Sequence, residues 1–219
     1  MIAIIDYGAG NLRSVQQALV KLGHYSEIIG DPGLLRYADA LILPGVGAFG
    51  SAMESLGRAT LIDEVVTFAE SGRPVLGICL GMHLLFCSSQ ESPGVPGFSL
   101  IPGRVVKFAL GGSEGADRRH KVPHMGWNQV FFRGEVSSAH GATVVERLWR
   151  GIPPGSWFYF AHSYYAEPDD STVLAGETHY GVKFASAVAS RNLVGVQFHP
   201  EKSGDAGLTL LDNFARMWR

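Results

Sequence analysis

The segment GICLG, residues 77–81, places Cys79 between two glycines. The apolar run 75–78 before the cysteine predicts a strand, and LGMHLLFCSS, residues 80–89, predicts a helix after it. A nucleophile on a tight strand-to-helix turn needs small residues two positions before and two after it, as in the serine motif GxSxG. The spacing therefore predicts a nucleophile elbow that carries a thiol. The alternative, a buried structural cysteine, is the commoner fate of a lone cysteine without such neighbours.

The predicted position of Cys79 also suits the chemistry of a thiol nucleophile. A helix N-terminus carries partial positive charge, which favours the thiolate. The backbone N–H of Leu80 would point toward an oxyanion that develops on a substrate attacked by Cys79.

A candidate base and its orienting acid follow the apolar run LVGVQF, in the sequence His199-Pro200-Glu201. Pro200 biases His199 toward an extended conformation, in which residues i and i+2 point to the same side. Glu201 could then orient the imidazole of His199, as the acid of a catalytic triad does. HPE alone is also compatible with a polar loop after a strand, but its combination with the Cys79 motif favours catalysis.

Composition and charge argue against several other classes of protein. The chain has 219 residues, 46% of them hydrophobic, and its net charge of −2 gives no basic footprint for nucleic acid. No apolar run approaches the ~18 residues of a membrane span, and the N-terminus does not resemble a signal peptide, so we expect a cytoplasmic protein. Cys79 and Cys87 would be about 12 Å apart on a helix, so we expect free thiols. Zinc-type cysteine and histidine spacings are absent, and we expect no metal site.

Strand and helix signals alternate in the first half of the chain, which favours an α/β fold with three layers and a mostly parallel central sheet. The shorter apolar stretches of the second half predict mixed or antiparallel strands, and we expect a single domain over 1–219. The polar segment 111–121 predicts a loop. The predicted strands are 2–6, 26–30, 38–45 and 73–78, and the predicted helices are 11–23, 61–72 and 207–218.

GICLGM and GVQFHPEKS together closely resemble the class I glutamine amidotransferases, whose Cys, His and Glu hydrolyse glutamine and release ammonia. Further segments are similar to the glutaminase subunits of imidazole glycerol phosphate synthase, an enzyme of histidine biosynthesis. The resemblance implies a heterodimer with a (β/α)8 cyclase subunit, which receives ammonia through a tunnel and whose bound nucleotide activates the glutaminase. It implies glutamine as substrate and no cofactor. The segments run in order: IIDYGAGNLRSV (4–15), LPGVGAF (43–49), PHMGWN (123–128) and FAHSYY (160–165).

The resemblance also implies roles for residues outside the triad. Three of these assignments have structural alternatives: an ordinary Pro-Gly turn for residues 45–47, a solvated side chain for Glu91, and core packing for the aromatic residues. The implied roles are oxyanion binding by Gly45, Val46 and Gly47 with Leu80, substrate binding by His83, Glu91, Ser163 and Tyr164, and partner contact by Trp127, Tyr159 and Lys202. The Gly8-x-Gly10 pair lacks the third glycine of a dinucleotide fingerprint, so no nucleotide site is expected there.

His83 departs from the family pattern, which usually has glutamine after GxCLGM. A neutral imidazole cannot both donate and accept as an amide does, so we expect weaker glutamine binding without loss of chemistry. An unchanged KM in His83→Gln would contradict this expectation. Two other functions stay open: an amidotransferase subunit of a different synthase, which PHMGWN disfavours, and a non-catalytic regulatory subunit, which the intact triad disfavours.

Overall fold

The computed structural model describes residues 1–8, 10–109, 121–132 and 143–217. The predicted loop 111–121 lies outside these residues apart from Lys121. Within the described ranges, no helix has the length and apolar character needed to cross a membrane.

Strands and helices alternate through the first half of the chain, as predicted. A 3₁₀ turn, Pro32–Tyr37, separates the second and third strands. The elements are β1 (Ile2–Ile5), α1 (Leu12–Lys21), β2 (Ser26–Ile29), β3 (Ala40–Leu43), α2 (Phe49–Arg58), α3 (Ile62–Glu70), β4 (Val75–Ile78), α4 (Leu80–Leu84) and β5 (Phe86–Ser89).

The second half consists mainly of strands, and its last helix is the one predicted at the C-terminal end. Two 3₁₀ turns, Ser171–Val173 and Pro200–Lys202, interrupt it. The elements are β6 (Ile101–Lys107), β7 (His124–Val130), α5 (Val144–Leu148), β8 (Ser156–His162), β9 (Tyr164–Pro168), β10 (Leu174–Tyr180), β11 (Val182–Ser190), β12 (Leu193–Val196) and α6 (Gly204–Arg216).

The main sheet has the strand order β2-β1-β3-β4-β12-β11-β9-β6-β5, with β10 paired to β11. Every pair from β2 to β12 is parallel, whereas β12-β11, β11-β9 and β9-β6 are antiparallel. The last strand, β12, lies beside β4, with Val196 opposite Ile78. The residues that follow these two parallel strands therefore meet at one edge of the sheet, where open α/β sheets place their ligand sites.

Both faces of the parallel strands are covered, which explains their uninterrupted apolar sequences. On one face Ile2 and Ile4 pack in a cluster with residues of α1 and α6. On the other face Ala3 and Ile5 pack in a cluster with residues of α2 and α3. The predicted α/β fold with helices on both sides of a mostly parallel sheet is confirmed.

The helix predicted after Cys79 is wrong beyond Leu84, because Phe86–Ser89 forms strand β5. The carbonyl oxygens of Leu84 and Leu85 accept hydrogen bonds from the N–H groups of Phe98 and Ile101 instead of continuing the helix. Pairing of β5 with β6 outweighs the local helical pattern. The 12 Å separation of Cys79 and Cys87 that assumed this helix therefore does not apply, although both cysteines are free.

Two further elements differ from the sequence prediction. Helix α2 is absent from the predicted elements because glycines at 45, 47 and 50 interrupt the segment, although Phe49, Met53 and Leu56 have helical spacing and are buried. The apolar stretch 157–165 is divided between β8, which pairs with β7 in a separate two-stranded sheet, and β9 of the main sheet.

Candidate active site

Cys79 occupies a strained turn between β4 and α4, with φ 53° and ψ −109°. A positive φ is rare for a residue other than glycine and marks sites where the surrounding structure holds the backbone. A Cβ atom on Gly81 would lie 1.7 Å from the carbonyl oxygen of Leu43, and one on Gly77 would lie 2.6 Å from that of Gly81. The chain thus approaches itself too closely for any side chain at either position. This geometry is that of the nucleophile elbow expected from the sequence.

His199 follows β12 and is brought next to the elbow, because β12 pairs with β4. Its backbone is extended, at φ −100° and ψ 97°, and its N–H donates to the carbonyl oxygen of Tyr159 at 2.9 Å. Glu201 lies in the 3₁₀ turn Pro200–Lys202, where its Oε1 is 2.9 Å from Nδ1 of His199. A turn, and not the extended segment assumed from the sequence, therefore brings the carboxylate to the imidazole.

Asn11 supplies a contact that the sequence did not indicate. The Glu201 side chain is fully buried, and its Oε1 also accepts a hydrogen bond from the Asn11 side-chain amide. Glu201 Oε2 has no partner among the described residues. Asn11 has φ 74° at the start of α1, a conformation that asparagine tolerates better than most residues. The available sequence signal was therefore an asparagine in a glycine-rich turn before a helix.

The protonation of His199 is set by opposing effects. Burial lowers the pKa of the imidazole, but hydrogen bonds to Cys79 and Glu201 and the negative charges of both raise it to about 9. The surroundings therefore favour the imidazolium form of His199.

A cavity of about 320 Å³ opens beside Cys79. Its volume lies at the lower end of the range for small-molecule sites. Gly45 is packed behind the elbow, because a Cβ there would lie 2.9 Å from that of Leu80. The predicted residues that line the cavity with Cys79 are Val46, Gly47, Leu80, His83, Glu91, Ser163, Tyr164, His199 and Lys202.

Two of the predicted substrate-binding residues, Glu91 and His83, make hydrogen bonds within the protein. Glu91 Oε2 accepts a hydrogen bond from the N–H of Phe49 at 2.8 Å, at the start of α2. His83 Nε2 lies 2.7 Å from the side-chain oxygen of Gln197, and burial lowers its pKa to about 4 although this hydrogen bond raises it. His83 is therefore neutral near pH 7.

Gln197 is a buried residue of the site that sequence reasoning missed. Its Nε2 lies 3.9 Å from the sulfur of Cys79, and its side chain is fully enclosed. In the sequence it stands two residues before His199, inside an apolar run where a single buried amide calls for a hydrogen-bond partner.

Strands β7 and β8 form a two-stranded ribbon that borders the cavity. Trp127 and Tyr159 are direct cross-strand neighbours, with ring centroids 6.2 Å apart. Met125 is 66% exposed and lines the cavity, and Lys202 is exposed at the same cavity. Of the three predicted partner residues, Lys202 therefore lines the cavity, and Trp127 and Tyr159 lie on the ribbon that borders it. The large apolar side chains that are more than half exposed on this ribbon and its ends are Met125, Trp127, Phe131 and Trp157.

Within the described part of the chain, no group of three or more histidine, cysteine, aspartate or glutamate side chains could hold a metal ion.

Sequence comparison relates the whole chain to known proteins. The family described as "Glutamine amidotransferase class-I" matches residues 3–218. The protein named "Imidazole glycerol phosphate synthase subunit HisH" of Methanothermobacter thermautotrophicus is 48% identical, covering 100% of both chains. The protein of the same name from Moorella thermoacetica is 49% identical over 100% of this chain and 95% of its own.

Solved structures show the same fold at low sequence identity. A structure titled "Structure of PurLQS from Thermotoga maritima" superposes with a TM-score of 0.73 at 17% identity, covering 100% of this chain and 98% of that one. One titled "Crystal structure of glutamine amidotransferase" gives a TM-score of 0.69 at 18% identity, covering 95% of each chain. With its full-length sequence match and its fold, this chain belongs to the class-I glutamine amidotransferase family.

Proposed function

We propose that the chain is the glutaminase subunit of an imidazole glycerol phosphate synthase and hydrolyses glutamine to glutamate and ammonia for histidine biosynthesis. The single observation that carries the catalytic part is the placement of His199 and Glu201, after β12, beside the strained Cys79 elbow after β4. The assignment to this synthase rests on relatives of that name at 48% and 49% identity. In this proposal residues 1–219 act as one domain, because one sheet joins strands from both halves of the described chain. We also propose that this domain works in the cytoplasm.

The first chemical step forms a thioester and releases ammonia. The Cys79 thiolate attacks the side-chain amide carbon of glutamine, and the carbonyl electrons move onto oxygen. His199 then gives its proton to the amide nitrogen as the C–N bond breaks. The raised pKa of His199, about 9, keeps that proton available near neutral pH. The products are a γ-glutamyl thioester on Cys79 and ammonia.

The second step hydrolyses the thioester. Neutral His199 removes a proton from water, whose oxygen attacks the thioester carbon. The C–S bond breaks, the new γ-carboxylic acid loses its proton to solvent and leaves as glutamate, and the thiolate–imidazolium pair is restored. Glu201 keeps the imidazole oriented with Nδ1 toward its carboxylate in both steps, and the same ring also hydrogen-bonds to Cys79.

The oxyanion of each step would be held by backbone N–H groups of Leu80 and the 45–47 segment. Leu80, Val46 and Gly47 line the cavity with Cys79, and Gly45 packs against the elbow. Each such donor is worth about 3 kcal/mol in the transition state. A partner that moves one of these N–H groups into place would therefore change the rate by about two orders of magnitude.

The ribbon of β7 and β8 is the proposed docking surface for the (β/α)8 cyclase subunit. Its exposed aromatic side chains leave apolar surface on the ribbon that borders the cavity, as is typical of protein–protein contacts. The carbonyl of Tyr159 on this ribbon accepts the backbone N–H of His199. A partner seated on the ribbon is therefore one hydrogen bond away from the backbone of His199, and ammonia released in the cavity would leave toward it.

The test is ammonia release from glutamine by the purified chain, alone and with the cyclase subunit and its nucleotide ligand. We expect low activity alone and a rise of orders of magnitude in the complex. Equal activity in both states would indicate a different partner or none, and no activity in either would indicate a regulatory subunit.

Matched variants make this test specific. Cys79→Ser should abolish ammonia release, whereas Cys87→Ser should retain it. A glutamine analogue with a chloroketone in place of the amide should label Cys79 and not Cys87. Trp127→Ala should weaken association with the cyclase subunit, and Tyr37→Ala, which removes an aromatic ring that is 63% exposed outside the ribbon, should not.

A further inference from the structure

Besides His199, the Cys79 sulfur has two polar neighbours, the carbonyl oxygen of Ala161 at 3.9 Å and the side chain of Gln197, and the second of these also contacts His83. The Gln197 amide nitrogen lies 3.9 Å from the Cys79 sulfur, and its oxygen lies 2.7 Å from Nε2 of His83. Gln197 is fully buried and His83 is 5% exposed. Three consecutive groups, imidazole, amide and sulfur, are therefore connected inside the protein.

The protonation of His83 determines which end of the Gln197 amide can face the sulfur. If His83 donates its Nε2 proton, the amide oxygen accepts it and the NH₂ group points to Cys79. If Nε2 were the acceptor, the amide would be reversed and its oxygen would face the sulfur, repelling a thiolate. A thiolate accepts hydrogen bonds and cannot donate them, so it favours the first arrangement.

We propose that His83 and Gln197 form a positioning pair that holds an amide N–H toward Cys79 and so favours its thiolate. The inference rests on the proposed glutaminase function, since it concerns the same nucleophile. It assigns His83 an action through Gln197, in place of direct contact with glutamine. The structural reason is that the Nε2 atom of His83, in a ring that is almost completely buried, is already used by Gln197. The low pKa of His83, due first to burial, agrees with a neutral ring that donates from one nitrogen only.

Other titratable groups around the thiol must be kept unchanged in any test. His199 hydrogen-bonds to Cys79, Tyr7 interacts electrostatically with Cys79, and His162 interacts electrostatically with His83 and His199. Glu91 and Lys202 line the same cavity. None of these side chains is altered in the variants below.

The experiment measures the rate of Cys79 alkylation by iodoacetamide between pH 5 and 10 in the full chain. Cys87→Ser serves as the background, so that Cys79 is the remaining thiol of the chain. His83→Leu and Gln197→Met each replace one polar member of the pair with an apolar side chain of similar length. At pH 7 we expect each to slow alkylation by about tenfold, the lower limit for the loss of one hydrogen bond to a charged group, with the profile shifted to higher pH.

The double variant tests whether His83 acts through Gln197. We expect His83→Leu combined with Gln197→Met to show the same profile as Gln197→Met alone, because residues that act in series are not additive. Additive effects would overturn the proposal. So would an unchanged profile in either single variant that retains the native far-UV circular dichroism. If His83→Leu fails to fold, the comparison of Gln197→Met with the wild type decides.

Two controls separate this role from a merely structural one. His83→Gln keeps an N–H donor and should retain most of the wild-type alkylation rate. His24→Leu removes another buried histidine, whose Nε2 contacts Asp212 at 2.7 Å, and should leave the Cys79 profile unchanged. For glutamine hydrolysis, His83→Leu should lower kcat more than it raises KM. An effect on KM alone would assign His83 to substrate contact and overturn the proposal.

Failure of the proposed function would be recognisable separately. A chain that releases no ammonia with or without the cyclase subunit, yet shows the shifted Cys79 profiles, would reject the glutaminase assignment and retain the pair. A wild-type Cys79 that alkylates no faster than Cys87 does in a Cys79→Ser chain would contradict both.

Discussion

Asn11→Gly tests whether the proposed catalytic carboxylate, Glu201, depends on a residue 190 positions away in sequence. Glycine removes the amide that donates to Glu201 and accepts the backbone φ of 74° without strain. Glu201 is fully buried, its Oε2 has no partner in the part of the chain that the structure describes, and the carboxylate would keep only the His199 contact there. A hydrogen bond to a charged group contributes about 1.5–3 kcal/mol, so we expect unfolding to require about 2 kcal/mol less free energy.

The same loss should appear in catalysis, because in the proposed mechanism Glu201, 2.9 Å from Nδ1 of His199, orients this imidazole. If most of the hydrogen-bond energy is expressed in the transition state, kcat for glutamine falls by about 10- to 100-fold. The assays are urea unfolding at pH 7 and ammonia release in the complex.

Arg191→Gly is the matched control, because Arg191 is exposed and also has a positive φ, 53°. It reports the backbone contribution of a new glycine without touching the active site. An Asn11→Gly chain with the stability of Arg191→Gly and an unchanged kcat would refute the reasoning. Asn11→Asp should be at least as damaging as Asn11→Gly, since it places a second carboxylate against Glu201.

Three further changes have defined outcomes. Gly81→Ala should lower the free energy of unfolding by about 3 kcal/mol or more, because its Cβ would lie 1.7 Å from the Leu43 carbonyl oxygen. Gly72→Ala, at an open position with φ +80°, is the control and should lower it by about 1 kcal/mol. Urea unfolding measures both. Tyr7→Phe should lower stability by about 1 kcal/mol and reduce ammonia release, because the Tyr7 hydroxyl donates at 2.7 Å to the carbonyl of Pro44, next to the 45–47 segment; unchanged activity would argue against its support of that segment. The pKa of His199 rises from 6.5 to about 9 on folding, so protonated His199 contributes about 3 kcal/mol to the free energy of unfolding. This contribution is present below pH 6.5 and is lost as the pH rises through 9. The stability difference between the wild type and His199→Asn should therefore shrink over that interval, and a constant difference would contradict the raised pKa.

Local patterns in the sequence predict the part of the fold where the pattern and the packing agree. The apolar runs of β1, β3 and β4 are buried on both faces, so their composition alone identifies them. The segment after Cys79 shows the opposite case, since it has a helical pattern but pairs as β5 with β6. A strand partner from elsewhere in the chain cannot be inferred from local periodicity.

The site divides along the same line. The elbow can be predicted from the sequence because the steric requirement for Gly77 and Gly81 is local. The contact of His199 with Glu201 can be predicted because both residues lie in one short segment. The roles of Asn11 and Gln197 cannot be predicted in this way, because their partners Glu201 and His83 are 190 and 114 positions away. A buried polar residue in an apolar run indicates that a partner exists but does not identify it.

The β7–β8 ribbon forms one wall of the cavity and also carries the proposed docking surface. Met125 and Ala161, directly opposite each other on the two strands, both line the cavity. A ligand in the cavity and a partner on the ribbon therefore share a structural element, and thermodynamic linkage then applies to the pair. Whatever factor the bound partner adds to the affinity of a cavity ligand, that ligand must add to the affinity of the partner. Comparing the affinity of a substrate analogue for the free chain and for the complex thus gives the factor by which the analogue strengthens the subunit contact.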